Sequence, residues 1–254
     1  MHLTRLVPAA VVLVHGAFSD TSSWAEVALL LRRAGAVVHT PTNPLRGLVA
    51  DTRHLMDVVH RIDAPVVLVG HGYGGAVITQ VPAGTDHVVA LCYVAGFGLD
   101  AGECLLDITD RFAPMRRVHA ALTVRAVGSA HTGVRQELIL DTHRFGHAYA
   151  DDLPPRASTE RARAQRSLAP RALTDRSGPP AWTRTSSWYA VATADQMLNP
   201  SAQRFMAQRM AAHEHLLDAS HAALLSQPAA VAAMIMEAAL RGPGAVTTST
   251  SRPR

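Results

Sequence analysis

The stretch Gly70-His71-Gly72-Tyr73-Gly74-Gly75 follows the apolar run 65–69 and leads into a second apolar segment. A strand that enters such a glycine-rich turn and leaves it as a helix is the frame in which a G-x-S-x-G motif exposes a serine nucleophile. Here the middle position is Gly72, so no acyl-enzyme can form on it. Glycine accepts the strained backbone of that turn without penalty, and it leaves room for about one water. Two titratable residues lie farther along, each just past an apolar strand. Asp195 closes the run 188–193 ahead of a loop containing Pro200, and His221 follows Asp218-Ala219-Ser220 after the strand at 215–217. Catalytic groups favour loops at the carboxyl ends of parallel strands. A histidine paired with a carboxylate there keeps one tautomer and accepts protons. The chain holds 14 histidines, so context rather than residue type singles out His221.

The elements that must position these residues alternate. Residues 11–14 form a continuous β-branched run, the mark of a buried parallel strand. Residues 22–33 carry Trp24, Val27, Leu30 and Leu31 at helical spacing, with Gly35 closing the helix. A short strand follows at 36–39 and a helix at 48–62. The strand at 65–69 feeds the glycine turn, a helix begins at 74–75, and 87–94 is strand again. The alternation predicts an α/β domain with a parallel sheet and helices on both faces. Residues 105–180 break the rhythm with more Arg, His and Pro and with helical pieces such as 157–167. They read as a lid inserted over the carboxyl edge of the sheet. Strand, helix, strand and helix then resume at 188–193, 201–212, 215–217 and 228–240. Residues 242–254, rich in Gly, Thr, Ser, Pro and Arg, read as a disordered tail.

Composition narrows the function classes. Hydrophobic residues make up 48% and charged residues 17% of 254, enough for one large domain with a sizeable core. The net charge of +4 comes with no lysine at all. The arginines are scattered among acidic residues rather than clustered, which argues against nucleic acid. Cys92 and Cys104 lie in no metal or disulfide spacing, and the expected setting is cytoplasmic. No apolar run reaches the roughly 20 residues of a membrane span. Neither a cofactor nor a metal is expected, and oligomeric state stays open.

Four segments resemble the α/β-hydrolase superfamily, in particular a bacterial branch of small serine esterases related to plant methyl esterases and hydroxynitrile lyases. They are VLVHGAFSDTSSW, with a His-Gly oxyanion loop; PTNPLRGL with LVGHGYGGAVIT; YVAGFGLDAGE; and YAVATADQMLNPSAQRFMAQRM with LLDASHAALLSQP. The resemblance implies the α/β-hydrolase fold as a single domain over 1–241, with the lid at about 105–180. It also implies that Asp195 orients His221. The backbone N–H groups of Ala17 and Tyr73 would form the oxyanion hole, and Phe18 and Tyr73 would line the pocket. The position that departs is Gly72, the vacant nucleophile position. The lyase relatives use a lysine just after the catalytic histidine. Ala222 stands there, so lyase chemistry is disfavoured. His15 and His71 are expected to hold loops together.

Other patterns have plainer explanations. Ser22 and Ser23 fit a helix start better than a substitute nucleophile. His143 and His147, with Asp151 and Asp152, lack the glutamate of H-E-x-x-H and fit a solvated lid face. His213 and His215 are expected to face solvent. The expected function is therefore an enzyme acting on a small carbonyl compound through the Asp195–His221 dyad and the oxyanion hole. Its reaction would be general-base hydrolysis of an ester or lactone, or proton transfer leading to cyclisation, elimination or isomerisation. The alternatives are a catalytically dead homologue that binds a small ligand or partner, and an ordinary serine esterase carrying a serine-to-glycine change at 72.

Overall fold

The computed structural model of the protein describes residues 9–129 and 133–241. The tail expected from 242 onward lies outside them. The chain begins with β1 (Ala10–Val14), a 3-10 turn at Thr21–Trp24, α1 (Ala25–Arg33), β2 (Val38–His39), α2 (Leu48–Val59), β3 (Val66–His71), α3 (Tyr73–Thr79) and β4 (Val88–Val94). Between β4 and the next sheet strand come α4 (Leu105–Asp110), α5 (Arg116–Ala121), β5 (Leu122–Ser129), β6 (Gly133–Leu140), α6 (Phe145–Tyr149) and α7 (Pro155–Ala164). The alternation then resumes with β7 (Ser187–Ala192), α8 (Pro200–Arg209), β8 (His213–Leu217), α9 (Ala223–Ser226) and α10 (Pro228–Arg241).

The central sheet has six strands in the order β2-β1-β3-β4-β7-β8, and every neighbouring pair is parallel. Parallel strands buried on both faces need apolar residues at every position rather than at alternate ones. β1 shows this: Val11 and Leu13 pack with α1 and α10, whereas Val12 and Val14 pack with α2 and α3. α1 places Val27, Ala28 and Leu31 inward. Its Glu26 in the first turn and Arg32 and Arg33 in the last suit the helix dipole.

The strand order reverses between β1 and β3, whose carboxyl ends lie side by side with Val14 in register with Gly70. Such a switch point opens a crevice beyond the strand ends. The His-Gly loop leaves β1 there and the glycine turn leaves β3.

The expected lid segment differs in one respect. It contains the longest described strands, β5 and β6, paired antiparallel from Leu122↔Leu140 to Ser129↔Gly133. The helix expected at 157–167 is α7, three residues shorter at its carboxyl end. The turn before α1 is capped by Asp20, which accepts from the Ser22 N–H, rather than by Ser22 or Ser23.

Candidate active site

Gly72 sits between β3 and α3 with φ 51° and ψ −120°, backbone that a side chain adopts only under strain. The glycines around it answer to close approach. A β-carbon on Gly74 would come within 2.4 Å of the Val14 carbonyl oxygen, and one on Gly70 within 2.5 Å of Gly74. These contacts explain why the turn needs glycine on both sides of its apex. A β-carbon on residue 72 itself would point at His221, 3.0 Å from Nε2.

His221 lies in the loop after β8, and Asp195 in the loop after β7. His221 Nδ1 donates to Asp195 Oδ2 at 2.7 Å, so the lone pair of Nε2 faces the space above Gly72. The Asp195 carboxylate is fully buried, and four donors satisfy it. Besides His221 these are Gln203 Nε2 on Oδ2 (2.7 Å) and the N–H groups of Met197 (2.7 Å) and Leu198 (3.0 Å) on Oδ1. Asp195 does not cap α8; Asn199 does, accepting from the Ser201 N–H.

Two further histidines brace the site. His71 Nε2 donates to the His221 carbonyl at 2.9 Å and holds that loop. Burial, reinforced by the neighbouring His221, pushes its pKa well below the usual histidine value. His15 accepts the Asn43 N–H on Nε2 (3.0 Å) and donates from Nδ1 to the Gly16 carbonyl (2.9 Å). Burial, helped by Arg166, lowers its pKa to about 4. Both are neutral struts, as the sequence suggested.

Ala17 lies in the loop just past β1 and Tyr73 opens α3, and among the described residues neither backbone N–H has an acceptor. Both N–H groups are therefore free to bind an oxygen. Phe18, beside Ala17, is buried with φ 57°. The Tyr73 hydroxyl donates to the buried Asp51 carboxylate at 2.7 Å, and burial, with Asp51 beside it, pushes the phenol pKa up.

Gly72, Ala17, Phe18, Tyr73 and His221 all border one cavity of about 510 Å³, whose other walls come from 97–122, 138, 168–173 and 197–202. Those walls are mostly leucine, phenylalanine and methionine. The cavity can hold a carbonyl compound with a sizeable apolar group, its reacting carbon near Gly72.

Gln203 escaped the sequence reading, and Asp152, expected on a solvated lid face with His143 and His147, is instead bonded to the loop that carries His221. Gln203 is buried in α8 and also accepts the Ala192 N–H, so it ties Asp195 to the end of β7. Asp152, between α6 and α7, accepts from the N–H and the hydroxyl of Ser220 and so anchors the residue before His221. Gln203 lies in no motif that could have marked it. Cys104 precedes α4 and does not border the cavity. His147 pairs with Asp151 on the exposed surface, and no cluster of three metal-ligating side chains occurs among the described residues. His213 is exposed and stacks on Trp188, whereas His215 is half-buried beside Glu237. No described helix is long and apolar enough to cross a membrane.

The profile of the alpha/beta hydrolase family matches residues 11–234. A carbendazim-hydrolysing esterase of Nocardioides sp. (strain SG-4G) is 34% identical over 119 residues, which cover 41% of this chain and 48% of that protein. The chain thus spans about half the length of this relative. Among solved structures, polyneuridine aldehyde esterase is similar with a TM-score of 0.77 at 16% identity, over 91% of this chain and 99% of that one. Tomato methylketone synthase I, complexed with 2-tridecanone, is similar with a TM-score of 0.73 at 16% identity, over 91% and 97%. At these identities the likeness speaks for the fold.

Proposed function

This chain belongs to the alpha/beta hydrolase family, and on that premise we propose that it is an esterase-like enzyme that works without a serine nucleophile. His221 is the base, Asp195 orients it, and the N–H groups of Ala17 and Tyr73 take the developing oxyanion. The observation that carries this reading is the direction of the imidazole. Nδ1 is tied to Asp195, and Nε2 faces the empty side of Gly72, 3.0 Å from where a β-carbon would stand. A water in that space loses a proton to Nε2 while its oxygen attacks the carbonyl of an ester or lactone. The carbonyl oxygen gathers charge against the two N–H groups, a contribution worth roughly 3–4 kcal/mol. Collapse expels the alcohol, which recovers the proton from His221. The same base and hole serve a substrate that brings its own acidic C–H next to the carbonyl, with cyclisation, elimination or isomerisation as the result. Two of the similar proteins, a carbendazim-hydrolysing esterase and a methylketone synthase, fit carbonyl chemistry of both kinds.

The test compares the protein with His221→Ala and Gly72→Ser on small activated esters and lactones. The native protein should turn over slowly with no burst, and His221→Ala should abolish that turnover. Gly72→Ser should show a burst of the leaving group as an acyl-enzyme forms, after His221 retracts by a few tenths of an ångström to admit the new β-carbon. Native turnover untouched by His221→Ala would place the chemistry elsewhere. A folded Gly72→Ser protein with neither turnover nor fluorophosphonate labelling would favour a ligand-binding protein.

A further inference from the structure

The ribbon of β5 and β6 is the least covered structure in the described chain. Residues 123–126 and 133–136 are exposed on both strands, with Val124 60% and Val134 69% exposed. A lone two-stranded ribbon is marginally stable in water, so such an arm invites the question of what covers it.

The register sorts its side chains. Leu122, Val124, Ala126 and Gly128 share one face with Leu140, Leu138, Gln136 and Val134, their cross-strand partners. Arg125, Arg135 and Glu137 share the other. All the charge of the ribbon is therefore on one face, and the opposite face is apolar but for Gln136. That apolar face is continuous with the cavity. Leu122 and Leu138 are cavity walls, and Val124 stands directly across from Leu138. Directly opposed β-carbons lie about 5 Å apart, which puts Val124 at the cavity rim. From Leu138 to Val134 the strip runs outward for roughly 14 Å at the rise of an extended strand.

We propose that this face is an outer subsite that receives the alkyl tail of a long-chain carbonyl substrate whose reacting end lies at Gly72. The proposal rests on the reading of the cavity as the active site. It names the substrate class: compounds with an unbranched apolar tail longer than the cavity alone accommodates. Val124 and Val134 then act as residues that set chain-length preference.

Binding of methyl ketones tests this without any catalytic step, so it stays separate from the fate of the esterase reading. Calorimetric affinities are measured for methyl pentyl ketone and methyl heptadecyl ketone with the native protein, Val134→Asp and Val124→Asp. Both valines are exposed, and circular dichroism checks that the variants fold. If the variants do not fold, Val134→Thr and Val124→Thr replace them. The native protein should prefer the longer ketone by tenfold or more, and each Asp variant should lose most of that preference. Equal native affinity for the two ketones overturns the proposal. So does a variant that keeps the full preference, or one that loses both ketones equally. Sedimentation supplies the other occupant: a native dimer that Val134→Asp converts to monomer would assign the strip to a second copy of the chain.

Discussion

The carboxyl edge of the sheet and the segment between β4 and β7 are built on opposite terms. At the sheet edge the dyad as a whole is held by several partners. Asp195 has four donors, and His221 is held through Nδ1 and through its carbonyl. In the inserted segment the ribbon of β5 and β6 pairs mainly with itself, and its Arg135–Glu137 ion pair involves an exposed arginine. The first arrangement orients the imidazole through its hydrogen bonds, as general-base chemistry requires. The second presents surface. On the proposed function, the reaction belongs to the part with the most hydrogen-bond partners and the choice of substrate to the part least constrained by the core.

The strongest way to break the comparison is to loosen the sheet edge by one atom. Asp195→Asn keeps the shape of the side chain but offers an amide where His221 Nδ1–H needs an acceptor. The tautomer that points the Nε2 lone pair at Gly72 is no longer favoured. Activity should fall by about three to four orders of magnitude in kcat/KM, with KM little changed. Steady-state kinetics on whichever ester or lactone the native protein turns over decides it, and a loss below tenfold would mean that His221 is not oriented through Asp195.

How much of this was legible in the sequence follows the same division. β1, β3 and β4 announced themselves as unbroken apolar runs, because burial on both faces leaves no room for polar residues. Gly72 and Asp195 were legible because each follows such a run, and His221 because it follows the last strand; the structure sets His221 between them, Nδ1 2.7 Å from Asp195 Oδ2 and Nε2 3.0 Å from a β-carbon at residue 72. Gln203 was not, since only the packing of α8 against β7 aims its amide at Asp195. The β5–β6 ribbon was missed although Leu122, Val124 and Ala126 alternate with Thr123 and Arg125. Its exposed arginines matched the polar character of the segment as a whole, and the period-two signal was lost among short helical pieces.

Acid separates the two regions by pH. His15, fully buried at the end of β1, has its pKa lowered from 6.5 to about 4, chiefly by burial. Between these values the unfolded chain binds a proton that the folded one refuses. Stability therefore falls as pH drops from 6.5 towards 4, by about 3 kcal/mol at the limit. His71, lowered for the same reason, adds to the loss with the same sign. Glu137 in β6 behaves differently. Burial alone would raise its pKa, but hydrogen bonds from Ser167, Arg135 and Arg46 outweigh it and bring the value from 4.5 to about 2. Its contribution is intact above 4.5 and disappears only as pH falls from there towards 2. Thermal melts across the range should show Tm declining below pH 6.5, before Glu137 protonates. A Tm that stays flat down to pH 4.5 would contradict the buried neutral histidines.

The smallest effect is expected where the inserted segment looks most ionic. Arg135 Nε donates to Glu137 Oε1 at 2.7 Å, but its side chain is 58% exposed. Glu137 is bonded as well by Arg46 Nη1 and by the Ser167 hydroxyl. Removing Arg135 leaves the buried carboxylate with two donors rather than none, so no uncompensated charge is created. An exposed arginine also regains its hydration and rotamer freedom when the pair is broken, and such pairs contribute about 0–1 kcal/mol. Arg135→Ala should therefore shift the urea midpoint by the equivalent of less than about 1 kcal/mol and leave turnover of short substrates within twofold. A shift several times larger would mean that the ribbon is held by its charged face as firmly as the sheet edge is held by its buried donors, and the division between a fixed reacting edge and a loosely held substrate-selecting segment would fail.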